Sequence, residues 1–177
     1  MTKKLSKEEY YLKIAQTVGI KSNCLMVGFG SIIVKDDHII STGYVGSPRK
    51  TLDCLKLGYC VRREKKVKSG TGYEMCRSVH AEMNAIINAA RAGVSVLEGD
   101  IYLYTCKKEN DDFKIVDSYP CILCKKMIIN SGLKRFIGND ENGNIKVYEI
   151  SDWVSDWQKL DDISKDKDQY HTDYEKK

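Results

Sequence analysis

Residues 78–90 read Ser-Val-His-Ala-Glu-Met-Asn-Ala-Ile-Ile-Asn-Ala-Ala, and this stretch predicts the most distinct helix of the chain. Apolar residues recur there at helical spacing, at Met83, Ile86, Ile87 and Ala90. Ser78 is the expected N-cap, and Gly93 ends the pattern. We therefore expect His80 and Glu82 in the first turn of this helix, where their side chains reach the space beyond its end.

A second helix start follows at residues 120–124, which read Pro-Cys-Ile-Leu-Cys. Proline suits the first position of a helix, and Gly132 provides the expected stop. Cys121 and Cys124 are three residues apart, so a helix would place both sulfurs on one face, where they can bind one ion. The positive end of the helix dipole favours the thiolate form that binds zinc.

Taken together, the two motifs predict a zinc site with three protein ligands: His80, Cys121 and Cys124. His80 and Glu82 point about 200° apart around a helix axis, so joint chelation from the side of the helix is not expected. A metal beyond the helix end leaves Glu82 free to act on a water at the open fourth position, first as general base and then as general acid. The H-x-E and P-C-x-x-C pattern in this order is typical of zinc nucleobase deaminases.

The elements around these motifs alternate between strand and helix patterns. A helix is predicted over 7–18 and further strands over 31–35, 39–44, 101–105, 135–138 and 145–150. This order predicts an α/β fold, in which helices cover the faces of one sheet. Residues 45–77 have little periodicity, and 107–117 read as a solvated excursion. We predict a single domain over 1–160 and a charged, flexible tail over 161–177.

Composition limits the classes of function. The formal charge of +4 over 177 residues gives little support for a polyanionic partner, but it does not exclude a phosphorylated small molecule. No apolar run is long enough for a membrane span, and the amino terminus has no signal-peptide pattern, so a cytoplasmic protein without a membrane partner is expected. Seven cysteines in that compartment are expected to be metal ligands or reduced core residues.

The same motifs, with Val34-Lys35-Asp36 and the stretches 42–49 and 76–86, make the chain resemble the cytidine and deoxycytidylate deaminase superfamily, most closely its deoxycytidylate (dCMP) deaminase branch. The resemblance runs over about residues 24–138. It implies a three-layer α/β/α fold with a five-stranded mixed sheet, hydrolysis of dCMP to dUMP and ammonia, a zinc cofactor and a homo-oligomer. It also implies that the backbone of Ala81 lies beside the carbonyl of the base.

The chain departs from the branch at two places that concern the sugar and the phosphate. Val45 stands where an asparagine is common, and Leu25-Met26 stand where an arginine pair is frequent. Our hypothesis is that cations of the long segment compensate by binding the phosphate, with Arg62, Arg63 and Arg77 as substrate-binding candidates. The alternative is a solvated basic face.

Four further cysteines, Cys24, Cys54, Cys60 and Cys76, are candidates for a second, structural zinc that would hold the long segment in place. The resemblance supports this for Cys24 and Cys54, because members of the branch with a second zinc have ligands at those positions. The alternative is plain packing, since cysteines are among the most buried residues. Cys106 has no evident partner and is interpreted as packing.

Two other functions share features of this sequence. Deaminases of adenine in tRNA, of a riboflavin precursor or of cytosine in single-stranded DNA use the same zinc chemistry. A polynucleotide is not the favoured partner, because only Tyr59 and Tyr73 interleave with the basic cluster. The chain could also be a non-catalytic DNA-uptake accessory protein on the same fold, but such a protein would not need Glu82.

Overall fold

The chain forms one mixed β-sheet with helices on both faces. The computed structural model describes residues 4–68, 71–109 and 112–160, so the predicted tail over 161–177 lies outside the described residues. The strands are β1 (Val27–Lys35), β2 (His38–Tyr44), β3 (Asp100–Glu109), β4 (Asp112–Ile115), β5 (Arg135–Asn139) and β6 (Ile145–Glu149). The helices are α1 (Lys7–Gly19), α2 (Cys54–Leu57), α3 (Val61–Glu64), α4 (Ala81–Arg91), α5 (Ile122–Asn130) and α6 (Ile150–Gln158), with a 3₁₀ turn at Tyr73–Met75.

The sheet has the strand order β2-β1-β3-β5-β6, and β4 pairs with β3 beside this path. β3 and β5 run parallel with α5 between them in sequence, and every other pairing is antiparallel. The five strands of the main order confirm the predicted five-stranded mixed sheet, and β4 adds a sixth strand within the described ranges.

The residues of β1, an interior strand of the sheet, explain why helices cover both faces. Ile33 packs on the side of α4, α5 and α6, whereas Ile32 and Val34 pack on the side of α1. These alternating side chains are all buried, as expected for a strand between two helical layers. The predicted three-layer α/β/α arrangement is therefore confirmed. None of the helices in the described ranges has the length and apolar character needed to cross a membrane.

Several boundaries differ from the sequence prediction. The stretch 107–117 was predicted as a solvated excursion, but β3 continues to Glu109 and pairs with β4 as a hairpin. The last predicted strand ends one residue earlier, because Ile150 begins α6. The long segment 45–77 contains two single-turn helices and the 3₁₀ turn. Asp53 caps the start of α2, Gly58 ends that helix in a left-handed conformation, and left-handed Gly72 precedes the 3₁₀ turn.

Helix α4 lies directly against strand β2, and this contact sets where the helix begins. The side-chain amide of Asn84 donates to the carbonyl of Tyr44 at 2.8 Å, and the hydroxyl of Ser41 donates to the carbonyl of Ala85 at 2.6 Å. At Gly43, an added Cβ would lie 2.3 Å from both the Ala81 oxygen and the Ala85 nitrogen. Only glycine allows the first turn of α4 to approach the strand this closely.

We predict that Gly43→Ala destabilises the protein by about 1–3 kcal/mol, because the new methyl group overlaps backbone that cannot retreat from the sheet. The measurement is urea denaturation followed by circular dichroism. Gly143→Asn is the control: Gly143 has open space around it and a φ of 82°, a left-handed conformation that asparagine tolerates. A denaturation midpoint for Gly43→Ala that matches the control would contradict the close-contact explanation.

Candidate active site

His80 is the N-cap of α4, immediately before the helix instead of within its first turn. Its backbone is extended, with φ −70° and ψ 158°, and α4 begins at Ala81. The preceding residue is fixed to the end of β2, because Val79 and Gly46 exchange backbone hydrogen bonds of 2.8 and 3.1 Å. Ser78, the expected N-cap, lies two residues too early. With His80 outside the helix, the 200° separation from Glu82 does not apply, and both side chains can serve one site.

Cys121 occupies the equivalent position at the other helix, as N-cap of α5 with φ −65° and ψ 164°. Cys124 lies in the first turn and is fully buried. The segment before them is held at the ends of β3 and β5, because the Ser118 hydroxyl lies 2.8 Å from the side-chain oxygen of Asn139 and accepts from the backbone of Thr105. Two helix starts, each tied to the sheet, therefore meet at one place.

The three predicted metal ligands converge there. The Nδ1 atom of His80 lies 3.3 Å from the Sγ atoms of both Cys121 and Cys124, and all three ligand atoms lie within 4.8 Å of one another. Zinc–sulfur and zinc–nitrogen bonds of about 2.3 and 2.0 Å in a tetrahedron place sulfur and nitrogen ligands roughly 3.5 Å apart. The donor set and its spacing thus fit a zinc ion with an open fourth position.

The hydrogen bonds among His80, Cys121 and Cys124 also favour the binding of a cation. The pKa of Cys121 is lowered, chiefly by the hydrogen bond from the Cys124 thiol and secondly by His80. The pKa of Cys124 is raised, because the side chain is buried and lies next to Cys121 and Glu82. Burial alone would lower the pKa of His80, but the hydrogen bond and charge of Cys121 raise it. A metal ion replaces these shared protons as the positive partner of the sulfurs.

Glu82 is a buried carboxylate with one oxygen uncommitted. Its side chain is only 3% exposed, and Oε2 has no hydrogen-bond partner among the residues that the structure describes. Burial raises the pKa of Glu82, which is the condition for a carboxyl that must both take and release a proton near neutral pH. It lies beside Cys124, at the same site as the three ligands.

The predicted substrate-binding residues are separated by the structure. Ala81 is the first residue of α4, between His80 and Glu82, where backbone N–H groups have no helical acceptor. Arg62 lies close enough to His80 for their charges to interact. Arg77 instead donates through Nε and a terminal nitrogen to the carbonyl of Leu52, and Arg63 is exposed. For all four, substrate contact remains a prediction.

Cys24 and the three cysteines of the long segment, Cys54, Cys60 and Cys76, lie near one another. Burial raises the pKa of the Cys54 thiol, and the nearby thiols of Cys24, Cys60 and Cys76 raise it further. Burial likewise raises the pKa of Cys24, although the Met26 amide, which donates to this sulfur at 3.4 Å, lowers it. Their sulfurs are more widely spaced than the first site, because His80, Cys121 and Cys124 form the only tight ligand group in the described ranges. Cys106, as expected, is buried, and its thiol donates to the carbonyl of Gly28.

Comparison with known proteins agrees with this geometry. The family model of the cytidine and deoxycytidylate deaminase zinc-binding region matches residues 5–138, which include all three ligands and Glu82. The chain belongs to this deaminase family. The match covers more of the chain than the resemblance over 24–138, because it extends through α1.

Individual relatives of this family member are distant. The deoxycytidylate deaminase of Schizosaccharomyces pombe is 28% identical over 130 residues, which are 73% of this chain and 36% of the relative. ComE operon protein 2 of Bacillus subtilis is 30% identical over 131 residues, 74% of this chain and 58% of the relative. The chain therefore spans between about a third and three fifths of the length of these relatives.

A solved structure shows the same fold. The dCMP deaminase of cyanophage S-TIM5, crystallised with dCMP and dUMP, superposes with a TM-score of 0.54 at 23% identity. The superposition covers 88% of this chain and 94% of the phage protein. At this identity the likeness supports the three-layer fold of the family.

Tyr73 was not predicted from the sequence as a neighbour of the candidate metal ligands. The ring of Tyr73 meets the ring of His80 edge to face, with centroids 5.1 Å apart and an interplanar angle of 79°. In the sequence, Tyr73 was only an aromatic residue within a basic segment. Its position seven residues before His80, across a turn with a left-handed Gly72, carries no periodic signal.

We predict that Cys124→Ser removes one equivalent of zinc per chain, because a buried hydroxyl is a much poorer zinc ligand than a thiolate. The measurement is metal analysis of purified protein by mass spectrometry. Cys106→Ser is the matched control, since that thiol is also buried but hydrogen-bonds to a carbonyl that a serine hydroxyl can equally reach. Equal zinc contents in the two variants would contradict the assigned ligand set.

Proposed function

We propose that this protein is a zinc-dependent deaminase that hydrolyses a cytosine nucleotide, with dCMP converted to dUMP and ammonia. The observation that supports it most directly is the placement of a buried, uncommitted carboxylate at a site with one imidazole and two thiols. Membership of the zinc-binding deaminase family supports the reaction class, and the dCMP deaminase name of the fungal relative supports the substrate.

His80, Cys121 and Cys124 are the residues that would hold the zinc. Zinc held by three such ligands would supply Lewis-acid chemistry that lowers the pKa of a water molecule to about 7, so that the water reacts at neutral pH. The carboxylate of Glu82 is placed to take a proton from that water. Water then adds to C4 of the cytosine ring, while Glu82 delivers the proton to N3. The carboxylate next takes the remaining proton from the new C4 hydroxyl and passes it to the departing amine, so that the C4 carbonyl forms as ammonia leaves.

The sequence of bonds accounts for every atom. The C4–O bond forms, and the C4–N bond to the exocyclic amine breaks, so the products are the uracil ring and ammonia. No oxidant or reductant is required. The carboxylate serves both proton transfers because Oε2 has no competing hydrogen bond in the described part of the chain. Burial of Glu82, which raises its pKa, brings the carboxyl closer to the range in which both transfers are efficient.

The deamination of another base remains a rival with the same zinc chemistry. A non-catalytic DNA-uptake accessory role is a rival function that is not enzymatic. The Bacillus subtilis relative is named ComE operon protein 2, a name that does not state a deaminase activity. The buried Glu82 favours an enzyme, because a buried carboxylate oxygen without a partner lowers stability and a purely structural zinc does not need it.

We predict that zinc-loaded protein releases ammonia from dCMP and that Glu82→Gln lowers this rate by at least about 100-fold, because glutamine cannot transfer protons. A panel of cytidine, deoxycytidine, CMP, dCMP and dCTP, followed by ultraviolet absorbance, identifies the preferred substrate. Zinc content serves as the control, since Glu82 is not a ligand and the variant should keep its metal. Ammonia release from none of the five compounds, with zinc fully bound, would favour the accessory role.

We also propose that Cys24, Cys54, Cys60 and Cys76 hold a second, structural zinc. The mutual electrostatic influence of the four thiols and the burial of two of them support this. The amide of Met26 donates to the sulfur of Cys24, a contact that stabilises a thiolate. A metal there would account for the order of a segment whose helices have only four residues each.

We predict two zinc ions per chain in the wild-type protein and one in Cys60→Ser, with a lower thermal midpoint because the long segment loses its cross-link. Metal analysis and calorimetry measure the two effects. Cys106→Ser again provides the control. A single zinc in the wild-type protein, unchanged by Cys60→Ser, would rule out the second site and leave the first untouched.

A further inference from the structure

Arg62 is a partly buried cation whose side chain is held in place from several directions. One terminal nitrogen of its guanidinium donates to the carbonyl oxygens of Thr71 and Lys68, the latter at 3.3 Å. The guanidinium carbon also lies 5.1 Å from the centroid of the Tyr73 ring, in a cation–π contact. A planar group fixed in this way has little conformational freedom left to lose when it binds a ligand.

Tyr73 links this guanidinium to the metal site. One side of the tyrosine contacts Arg62, and its ring meets His80 edge to face. The cation is therefore part of the wall next to the metal ligands and is not a remote surface charge.

The charge of Arg62 has no counter-ion in the described ranges. Arg62 forms none of the ion pairs found there, and its buried Nε–H has no hydrogen-bond acceptor. Arg135, by contrast, is paired with an anion. Its Nε and one terminal nitrogen donate to the two carboxylate oxygens of Asp100 at 3.0 and 2.5 Å. A guanidinium that is partly buried without an anion gains more from an anionic ligand than an exposed one does.

The other two candidate arginines lack these properties. Arg77 uses both Nε and a terminal nitrogen on the carbonyl of Leu52, at 3.2 and 3.1 Å, and lies beside Cys54. Arg63, the next residue of α3, is exposed. Only Arg62 combines a buried free donor with proximity to His80.

We propose that Arg62 binds the phosphate group of the nucleotide and so makes the site select a phosphorylated substrate over a nucleoside. The inference rests on the proposed deaminase function and assigns the recognition of its anionic end. A phosphate monoester carries nearly two negative charges at neutral pH and offers three acceptor oxygens. The second terminal nitrogen of Arg62 makes no hydrogen bond in the described ranges and is not among the buried unpaired atoms, so it can donate to a phosphate oxygen.

The test compares Arg62→Gln and Arg62→Lys with the wild-type holoenzyme in binding dUMP by calorimetry and in kcat/KM for dCMP and deoxycytidine. We expect Arg62→Gln to weaken dUMP binding and to lower kcat/KM for dCMP by at least about 30-fold, the effect of losing one charge-assisted contact of about 2 kcal/mol. Turnover of deoxycytidine should change by less than about threefold. Arg62→Lys should give values between those of the wild-type protein and Arg62→Gln, because it keeps the positive charge and loses the planar guanidinium.

Lys65→Gln is the matched control, since it removes one positive charge from an exposed side chain at the end of the same helix. It should bind dUMP as the wild-type protein does. Zinc content and thermal midpoint, measured for every variant, detect any collapse of the segment that Arg62 supports.

Two results would overturn the assignment. Equal losses for dCMP and deoxycytidine in Arg62→Gln would mean that Arg62 only supports the loop, and unchanged dUMP binding would mean that the phosphate lies elsewhere. The proposed function fails separately, when the wild-type protein releases no ammonia from dCMP. Even then, a dUMP affinity that depends on Arg62 and not on Lys65 would support the phosphate site, and the absence of dUMP binding would overturn it.

Discussion

The convergence of two helix starts on one point is the constraint on which the rest of the structure depends. α4 begins after His80 and α5 after Cys121, and both helices direct their positive ends toward the same small volume. Such an arrangement stabilises thiolates. His80 and Cys121 lie just outside their helices, where extended backbone allows their side chains to turn toward each other, and Cys124 joins them from the first turn of α5. The sheet supplies the rigidity, because each helix start is hydrogen-bonded to a strand end: Val79 to Gly46 on one side and Ser118 to Asn139 on the other.

The far side of α5 is held by a contact that no motif reveals. Lys125, the residue after the buried ligand Cys124, is only 2% exposed. Its ammonium lies 5.5, 4.9 and 5.4 Å from the ring centroids of Tyr119, Trp153 and Trp157. Two of these rings belong to α6, so the last described helix packs its aromatic side chains against the back of the metal-binding helix. The orientation of Cys124 is thus fixed from both sides, by the sheet and by α6.

Local signals in the sequence were sufficient to bring His80, Cys121 and Cys124 together as one candidate metal site and to predict the core helices, because short motifs and helical periodicity are properties of neighbouring residues. α6 was missed, although Ile150, Trp153, Val154 and Trp157 recur at helical spacing; the preceding strand pattern was extended across Ile150 and hid the boundary. The β3–β4 hairpin was missed for another reason. β4 has only four residues, Asp-Phe-Lys-Ile, and three of them are exposed, so its alternation is too short to distinguish a strand from a solvated loop. The difference between Arg62 and Arg77 could not be predicted at all, because it depends on which carbonyl oxygens each guanidinium meets after the chain has folded.

Glu82 shows why the site has to be interpreted as functional and not as a structural cross-link. An uncompensated carboxylate oxygen in a buried position reduces stability, and natural cores avoid it unless something else requires it. A structural zinc with one histidine and two cysteines would be more stable with a fourth protein ligand in place of an open position. The chain has other cysteines nearby in sequence, and none of those described occupies that position. In the proposed function, the position without a protein ligand lies next to a carboxyl that is able to accept a proton, which is the minimum that hydrolysis of an amine-bearing ring carbon requires.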